Sequence, residues 1–180
     1  MATFSKLMLG TVQFGMNYGV ANTSGKPDFA AVKEMLKTAY DGGVTALDTA
    51  PEYGVGWAET PGGEARYGDS EEVIGKALAE LGLSERFQIV SKIPALPAGT
   101  DPEKFMAESL RNSLRRLRVK HLAAALLHEE QDSIYLPALQ AQRTAGLIEL
   151  AGISLNSAAH AGDGDTADCL QVPASLLDHR

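Results

Sequence analysis

Four residues with complementary chemistry lie at or just after the ends of successive apolar runs. Asp48 ends "VTALD", Lys92 ends "FQIVSK", His128 ends "AAALLH", and Tyr53 follows Asp48 by five residues. A phenol titrates at about 10 in water, and a neighbouring ammonium lowers that pKa by stabilising the phenolate. A carboxylate holds the ammonium in place, and an imidazole can hydrogen-bond a substrate carbonyl. The set predicts a tyrosine that donates a proton to a carbonyl oxygen as negative charge develops there.

Each of these residues taken alone also has an ordinary structural explanation. Asp48 could be a turn residue, the Lys92 stem could pack while its ammonium reaches solvent, and His128 could be a satisfied strand-end histidine. The combination of all four at three successive strand ends favours chemistry.

Proton donation is only half of a carbonyl reduction. The other half is a hydride, which no side chain supplies, so a nicotinamide cofactor is implied. A lyase or isomerase that uses Lys92 as a Schiff-base amine is a competing hypothesis. We rank it last, because a paired Asp48 would keep Lys92 charged.

Two tyrosines compete for the role of proton donor. Tyr-Gly pairs occur at Tyr53 and at Tyr67, separated by a Gly- and Pro-containing excursion from Val55 to Arg66. A strand end is fixed by its sheet whereas a loop tip is not, so proximity to Asp48 favours Tyr53. Tyr67 is then a candidate wall of the substrate pocket, and the sequence leaves the choice between the two open.

The elements that must position these residues alternate along the chain. Strand-like runs are predicted at 7–12, 44–49, 87–93, 121–128, 150–155 and 169–175, with helix-like segments at 27–43, 69–82, 101–119 and 133–146. Asp69 or Ser70 is the expected N-cap of the second of these helices. Repeated strand–helix units with continuous apolar strands predict a parallel sheet covered on both faces.

The polar strand ends favour a (β/α) barrel over an open doubly wound sheet. No G-x-G-x-x-G turn follows the first strand, and no P-loop lysine is present. Asp48, Lys92, His128, Ser154 and Gln171 end different runs, and in a barrel those ends converge on one mouth. A closed barrel has eight strands, whereas six are predicted here. We therefore expect residues 1–180 to be a single (β/α)8 TIM-barrel domain that lacks its C-terminal third.

Composition is that of an ordinary soluble protein. The 16 basic and 23 acidic residues give a net charge of -7, which argues against a nucleic-acid partner and an acidic membrane surface. A single cysteine, no secretory signal and no long apolar run predict a cytoplasmic protein. Metal ions are not required by the chemistry, and the oligomeric state is open.

The ordered motifs resemble those of the aldo-keto reductases. "LMLGTVQFG", "LDTAPEYG", "GDSEEVIGKAL", "IVSK", "LLH" and "LQVPASLLDHR" occur in the order of that family's strands and turns. The opening most resembles a bacterial branch with "GTVQFG" starts. The resemblance implies NADP(H), with NAD(H) as the other nicotinamide, and a small carbonyl substrate. It implies a catalytic tetrad of Asp48, Tyr53, Lys92 and His128, and cofactor contacts from Gly10, Thr11, Gln13, Asp48, Ser154, Asn156 and Gln171.

Some features depart from the family pattern. Leu155 separates Ser154 from Asn156, two acidic residues follow His128, and the segment between strands five and six is short for a covering helix. The short connection and the incomplete barrel support an alternative hypothesis, a cofactor-binding regulatory or interaction subunit with little turnover.

Overall fold

Six strands alternate with helices in the computed structural model, which describes residues 3–54, 66–164 and 166–175. The elements are β1 (Met8–Gly10), α1 (Val12–Gly15), α2 (Phe29–Asp41), β2 (Ala46–Asp48), α3 (Asp69–Leu81), β3 (Gln88–Ile93), α4 (Pro102–Leu117), β4 (Leu122–Leu127), α5 (Leu136–Thr144), β5 (Ile148–Ser154) and β6 (Cys169–Gln171). Two 3-10 helices, Glu130–Tyr135 and Ala158–Gly164, precede α5 and β6. The predicted strands are all present, several of them shorter than expected.

The strands form one parallel sheet in sequence order. The order β1-β2-β3-β4-β5-β6 has no point at which the winding reverses, unlike a doubly wound sheet. In a flat sheet β2 and β6 would be four spacings, or about 19 Å, apart. Instead Gln171 Nε2 on β6 lies 3.2 Å from Asp48 Oδ1 on β2. The sheet is therefore curled, which confirms the predicted (β/α) barrel class with six units.

Alternation along the strands separates the helix-covered outer face from the barrel interior. Leu47, Ile89 and Ile93 belong to the main core, which they share with helix residues such as Leu78 and Leu110. On the opposite face of the strands, Val90, Ala124 and Leu126 form a small second cluster. Lys92 lies two residues beyond Val90 on β3, and successive strand side chains point to opposite faces. It therefore points into the interior, toward the carboxyl ends of the strands.

The start of α3 differs from the prediction. Gly68, with φ 89°, is the N-cap and has no side-chain hydrogen bond to cap the helix. Ser70 is fully buried, and its hydroxyl donates to the Thr11 carbonyl rather than capping α3. The expected N-cap at Asp69 or Ser70 is therefore wrong, because Ser70 is used to join α3 to the end of β1.

The C-terminal connections are shorter than the earlier ones. Pro137 lies in the first turn of α5, where a missing N–H does no harm, so the predicted helix 133–146 divides into a 3-10 turn and α5.

None of the helices within the described ranges is long and apolar enough to cross a membrane. Most of the excursion between the two Tyr-Gly pairs, residues 55–65, and the final residues 176–180 lie outside the described residues.

Candidate active site

Lys92 is the centre of a buried polar cluster at the mouth of the curled sheet. Its Nζ lies 2.6 Å from Asp48 Oδ1, 3.0 Å from the Tyr53 hydroxyl and 3.2 Å from the Thr49 carbonyl oxygen. The Lys92 side chain is 2% exposed and that of Asp48 is 15% exposed. An ammonium has three hydrogens and no acceptor, so these three partners use its whole capacity. Lys92 is thus held as a cation between a carboxylate and a phenol.

The phenol of Tyr53 is not made more acidic by this arrangement. Burial raises the pKa of Tyr53 above its ordinary value, Lys92 lowers it by charge, and Asp48 raises it again. The sequence predicted the lowering by Lys92 but not the larger opposing effect of burial. Asp48 also offsets the effect of the Lys92 charge on the pKa of the phenol. The Tyr53 hydroxyl is therefore protonated at neutral pH and lies beside the Lys92 ammonium.

The backbone of Tyr53 is fixed by two neighbouring elements. The N–H of Ser70, at the start of α3, donates to the Tyr53 carbonyl oxygen at 3.0 Å. On α1, a Cβ added to Gly15 would lie 1.8 Å from the same oxygen, so only glycine permits this approach. Sequence reasoning did not assign Gly15 or Ser70 to the site. The glycine in "VQFG" indicated a close backbone contact, but the sequence did not indicate which residue it contacts.

Three hydroxyl groups join β1, β2 and α3 behind the tyrosine. The Ser70 hydroxyl lies 3.1 Å from that of Thr11 and 3.0 Å from that of Thr49, and all three residues are fully buried. Thr11 also donates to the Asp48 carbonyl oxygen at 2.8 Å. The Thr11 side chain, predicted to contact a cofactor, therefore lies in this cluster and secures the backbone of Asp48.

Tyr67 lies elsewhere. Its ring packs on the guanidinium of Arg116, with 5.5 Å between Cζ and the ring centroid, and the residue is 46% exposed. Arg116 in turn forms an ion pair with the fully buried Glu71 at 2.7 Å. Burial raises the pKa of Tyr67 to about 12. Of the two candidate tyrosines, the structure places Tyr53 beside Lys92 and Tyr67 against α4.

Tyr53 and His128 both line a cavity of about 370 Å³. Their ring planes meet at 80°, with the centroids 6.3 Å apart. His128 Nδ1 contacts Glu52 Oε2, and Glu52 directly precedes Tyr53. The cavity is also lined by Val12, Met16, Tyr18 and Glu129. Glu52 was missed from the sequence, although an acidic residue beside the candidate tyrosine was a visible signal.

Three of the predicted cofactor residues lie around the mouth. Gly10 is exposed at the end of β1, and a Cβ added there would meet no atom within 4 Å. Ser154 and Gln171 are aligned partners at the ends of β5 and β6. Gln171 donates to Asp48 Oδ1, so its carbonyl oxygen is the remaining acceptor of that amide.

The other two predicted cofactor residues are exposed and make local contacts. Gln13 Nε2 donates to the Tyr18 carbonyl oxygen at 2.7 Å, within the turn after α1. The Asn156 N–H donates to Glu130 Oε2 at 2.9 Å, which joins the end of β5 to the 3-10 helix before α5. Within the described part of the chain, no three His, Cys, Asp or Glu side chains are grouped so as to hold a metal ion.

Comparison with known proteins identifies the family. The sequence model of the Aldo/keto reductase family matches residues 6–180. An uncharacterized oxidoreductase of Mycobacterium tuberculosis is 29% identical over 170 residues, 91% of this chain and 46% of its own. A Pseudomonas aeruginosa structure described as an aldo-keto reductase is 30% identical with a TM-score of 0.76, over 97% of this chain and 65% of its own. A Klebsiella pneumoniae aldo/keto reductase in complex with NADP and acetate is 26% identical with a TM-score of 0.63, over 87% of this chain and 48% of its own.

The chain belongs to the aldo/keto reductase family. It spans about half the length of the M. tuberculosis oxidoreductase and about two thirds of the P. aeruginosa chain. The resemblance noted from the sequence motifs is confirmed at the level of family and fold.

Proposed function

We propose that this chain carries the catalytic groups of an NADP(H)-dependent oxidoreductase that reduces aldehyde or ketone carbonyls. The observation that supports this most directly is the position of the Tyr53 hydroxyl, 3.0 Å from an ammonium that is itself 2.6 Å from Asp48. The phenol opens onto a cavity large enough for a small carbonyl compound and bordered by His128.

The residues around the mouth fit a nicotinamide cofactor. The open space above Gly10 allows a flat ring to approach the end of β1, and the Ser154 hydroxyl and Gln171 amide suit a carboxamide. Thr11, Gln13 and Asn156 lie on the flanking turns. The K. pneumoniae relative in complex with NADP supports the choice of cofactor. Bound NADPH supplies the hydride.

The side chains of this chain supply the proton that the carbonyl oxygen receives. Tyr53 is protonated at neutral pH and gives its proton to the carbonyl oxygen as negative charge develops there. This transfer is downhill even from a phenol of raised pKa, because an alkoxide is as basic as hydroxide, whose conjugate acid has a pKa of about 15.7. Lys92, fixed by Asp48, stabilises the phenolate that remains until solvent restores the proton. His128 orients the substrate.

The geometry disfavours a Schiff-base mechanism. A lysine amine attacks a carbonyl only as the free base. The Nζ of Lys92 donates to three acceptors, one of them a carboxylate, and has no lone pair to offer. The alternative of a cofactor-binding subunit with little turnover differs from our proposal in one measurable respect, the rate of carbonyl reduction.

The direct test combines turnover and cofactor binding. We would mix the purified protein with NADPH and a panel of aldehydes and follow the absorbance of the reduced cofactor. Tyr53→Phe removes only the hydroxyl, and loss of a positioned acid is expected to lower kcat by about 10²- to 10⁴-fold. Tyr67→Phe is the matched control and is expected to retain activity. NADPH binding without turnover would select the regulatory alternative, and equal rates for Tyr53→Phe and the parent would refute the assigned role.

A further inference from the structure

The acidic segment that follows β4 has no part in the reaction proposed above. Its three acidic residues are Glu129, Glu130 and Asp132. Two of them bind backbone groups of neighbouring turns. Glu130 accepts a hydrogen bond from the Asn156 N–H at 2.9 Å. Asp132 accepts one from the Leu96 N–H, also at 2.9 Å. These two carboxylates hold turns together, which leaves the carboxylate of Glu129 to be explained.

Glu129 lines the cavity of about 370 Å³ that Tyr53 and His128 also line. It is partly buried, and one of its carboxylate oxygens lies 3.5 Å from Gln131 Nε2. Among the residues that the structure describes, none with a cationic side chain forms an ion pair with Glu129. A carboxylate whose charge is not neutralised by a neighbour acts on any charged group that enters the cavity.

The net charge of the cavity wall is negative in either protonation state of His128. Glu52 contacts His128, so this pair is neutral when the ring is protonated and carries one negative charge when it is not. Glu129 adds one negative charge in both cases. The remaining described residues that line the cavity are uncharged at neutral pH, and they are Val12, Met16, Tyr18 and Tyr53.

Lys92 does not reverse the charge of this wall. Its ammonium lies 2.6 Å from Asp48 and its side chain is 2% exposed, so that carboxylate offsets its charge. A sphere with the volume of the cavity is about 9 Å across, close to the Debye length of about 8 Å at physiological salt. A ligand in the cavity therefore lies within the field of Glu129. That field attracts a cation and repels a carboxylate or a phosphate.

We propose that Glu129 is a specificity-determining residue that selects carbonyl substrates carrying a positively charged ammonium group close to the carbonyl. The preferred substrates are accordingly amino- or ammonioaldehydes and the corresponding ketones. This assignment rests on the proposed carbonyl reduction, in which Tyr53 donates the proton and His128 orients the carbonyl. It holds for either protonation state of His128, because Glu129 supplies the charge that is not balanced.

A matched pair of aldehydes tests the preference. Betaine aldehyde carries a trimethylammonium group, and 3,3-dimethylbutanal carries a tert-butyl group of the same shape without the charge. The measurement is the ratio of kcat/KM for the charged aldehyde to that for the neutral one, with NADPH as the reductant. Glu129→Gln should lower this ratio about fivefold, the effect of one unit charge at about 4 Å in water. Hydration differs between the two aldehydes, but it cancels when the ratios of parent and variant are compared.

Glu34→Gln provides the matched control. Glu34 is exposed on α2, and none of the described residues that line the cavity belongs to that helix. Both variants raise the net charge of the protein by one unit, so a general charge effect would appear in both. We expect Glu34→Gln to keep the ratio of the parent. An equal ratio in the parent and in Glu129→Gln would overturn the proposal.

Binding of unreactive alcohols tests the charge selection without turnover. Choline and 3,3-dimethylbutanol have the same shapes as the two aldehydes and cannot be reduced by NADPH. Their dissociation constants for the protein with NADPH bound would be measured by ligand-observed nuclear magnetic resonance. We expect the preference for choline to fall about fivefold in Glu129→Gln and to be retained in Glu34→Gln. A preference for choline that does not change in Glu129→Gln would overturn the proposal. Preferential binding of choline without reduction of either aldehyde would refute the carbonyl reduction while supporting the charge selection.

Discussion

Replacing Asp48 by asparagine is expected to destabilise the fold, because it leaves the Lys92 ammonium charged in a buried position. With 2.6 Å between Nζ and Oδ1, the attraction between unit charges in an effective dielectric of about 20 is about 6 kcal/mol. The net loss is smaller, because Thr49 and Tyr53 still accept hydrogen bonds and water can reach the mouth. Removing one member of a buried pair typically costs about 3–5 kcal/mol, and we expect a loss near the lower figure.

A double-mutant cycle separates the pair from its surroundings. Asp48→Asn, Lys92→Met and the double variant would be compared by urea unfolding, followed by circular dichroism. Since the double variant buries no unpaired charge, we expect it to be more stable than the sum of the single losses predicts, with a coupling energy of about 2–3 kcal/mol.

The matched control is the exposed pair Lys37–Asp41 on α2, with side chains 62% and 58% exposed. Its coupling should be about 0.5 kcal/mol. A coupling at Asp48 and Lys92 no larger than that of the exposed pair would refute the inference that burial makes this ion pair structurally important.

Two further predictions concern other parts of the chain. A Cβ at Gly75 would lie 2.2 Å from the Arg116 carbonyl oxygen. Gly75→Ala should therefore disturb the packing of α3 on α4 and lower the free energy of unfolding by about 1–3 kcal/mol. In the control Glu72→Ala, at an exposed position of α3, the free energy of unfolding measured with urea should change by no more than about 0.5 kcal/mol. The raised pKa values of Tyr53 and Tyr67, the latter about 12, mean that the folded state binds more protons than the unfolded state above pH of about 10. The contribution of these two tyrosines to the free energy of unfolding should therefore be fully present below that pH and be lost as the pH rises toward about 12. The loss should be smaller in Tyr67→Phe. An unchanged urea midpoint across this range would contradict the assignment.

The polar residues at strand ends were predictable from sequence because they follow a simple geometric rule. Apolar runs mark the strands, and the carboxyl ends of parallel strands meet, so Asp48, Lys92 and His128 could be brought together without coordinates. Gln171 belongs to the same class, and its contact with Asp48 follows from the curl of the sheet.

Contacts between different turns could not be predicted in this way. Ser70 matches the local pattern of an N-cap, and only the path of the chain shows that it supports Tyr53 instead. The contact of Glu52 with His128 depends on two side chains from separate turns. Burial of Tyr53 is likewise a property of the assembled mouth, which is why the direction of its pKa shift was not apparent from its neighbours in sequence.

The bond between Gln171 and Asp48 has a consequence for the order in which the chain folds. Asp48 and Lys92 are separated by 44 positions, whereas Asp48 and Gln171 are separated by 123. Closing the longer loop costs about 1 kcal/mol more in chain entropy. The groups around Tyr53 come from the first four strand–helix units and can assemble before β6 arrives. The contact of Gln171 with Asp48 then forms late, as a long-range contact of the curled sheet. Amide hydrogens of β6 should therefore exchange with solvent sooner than those of β3 and β4.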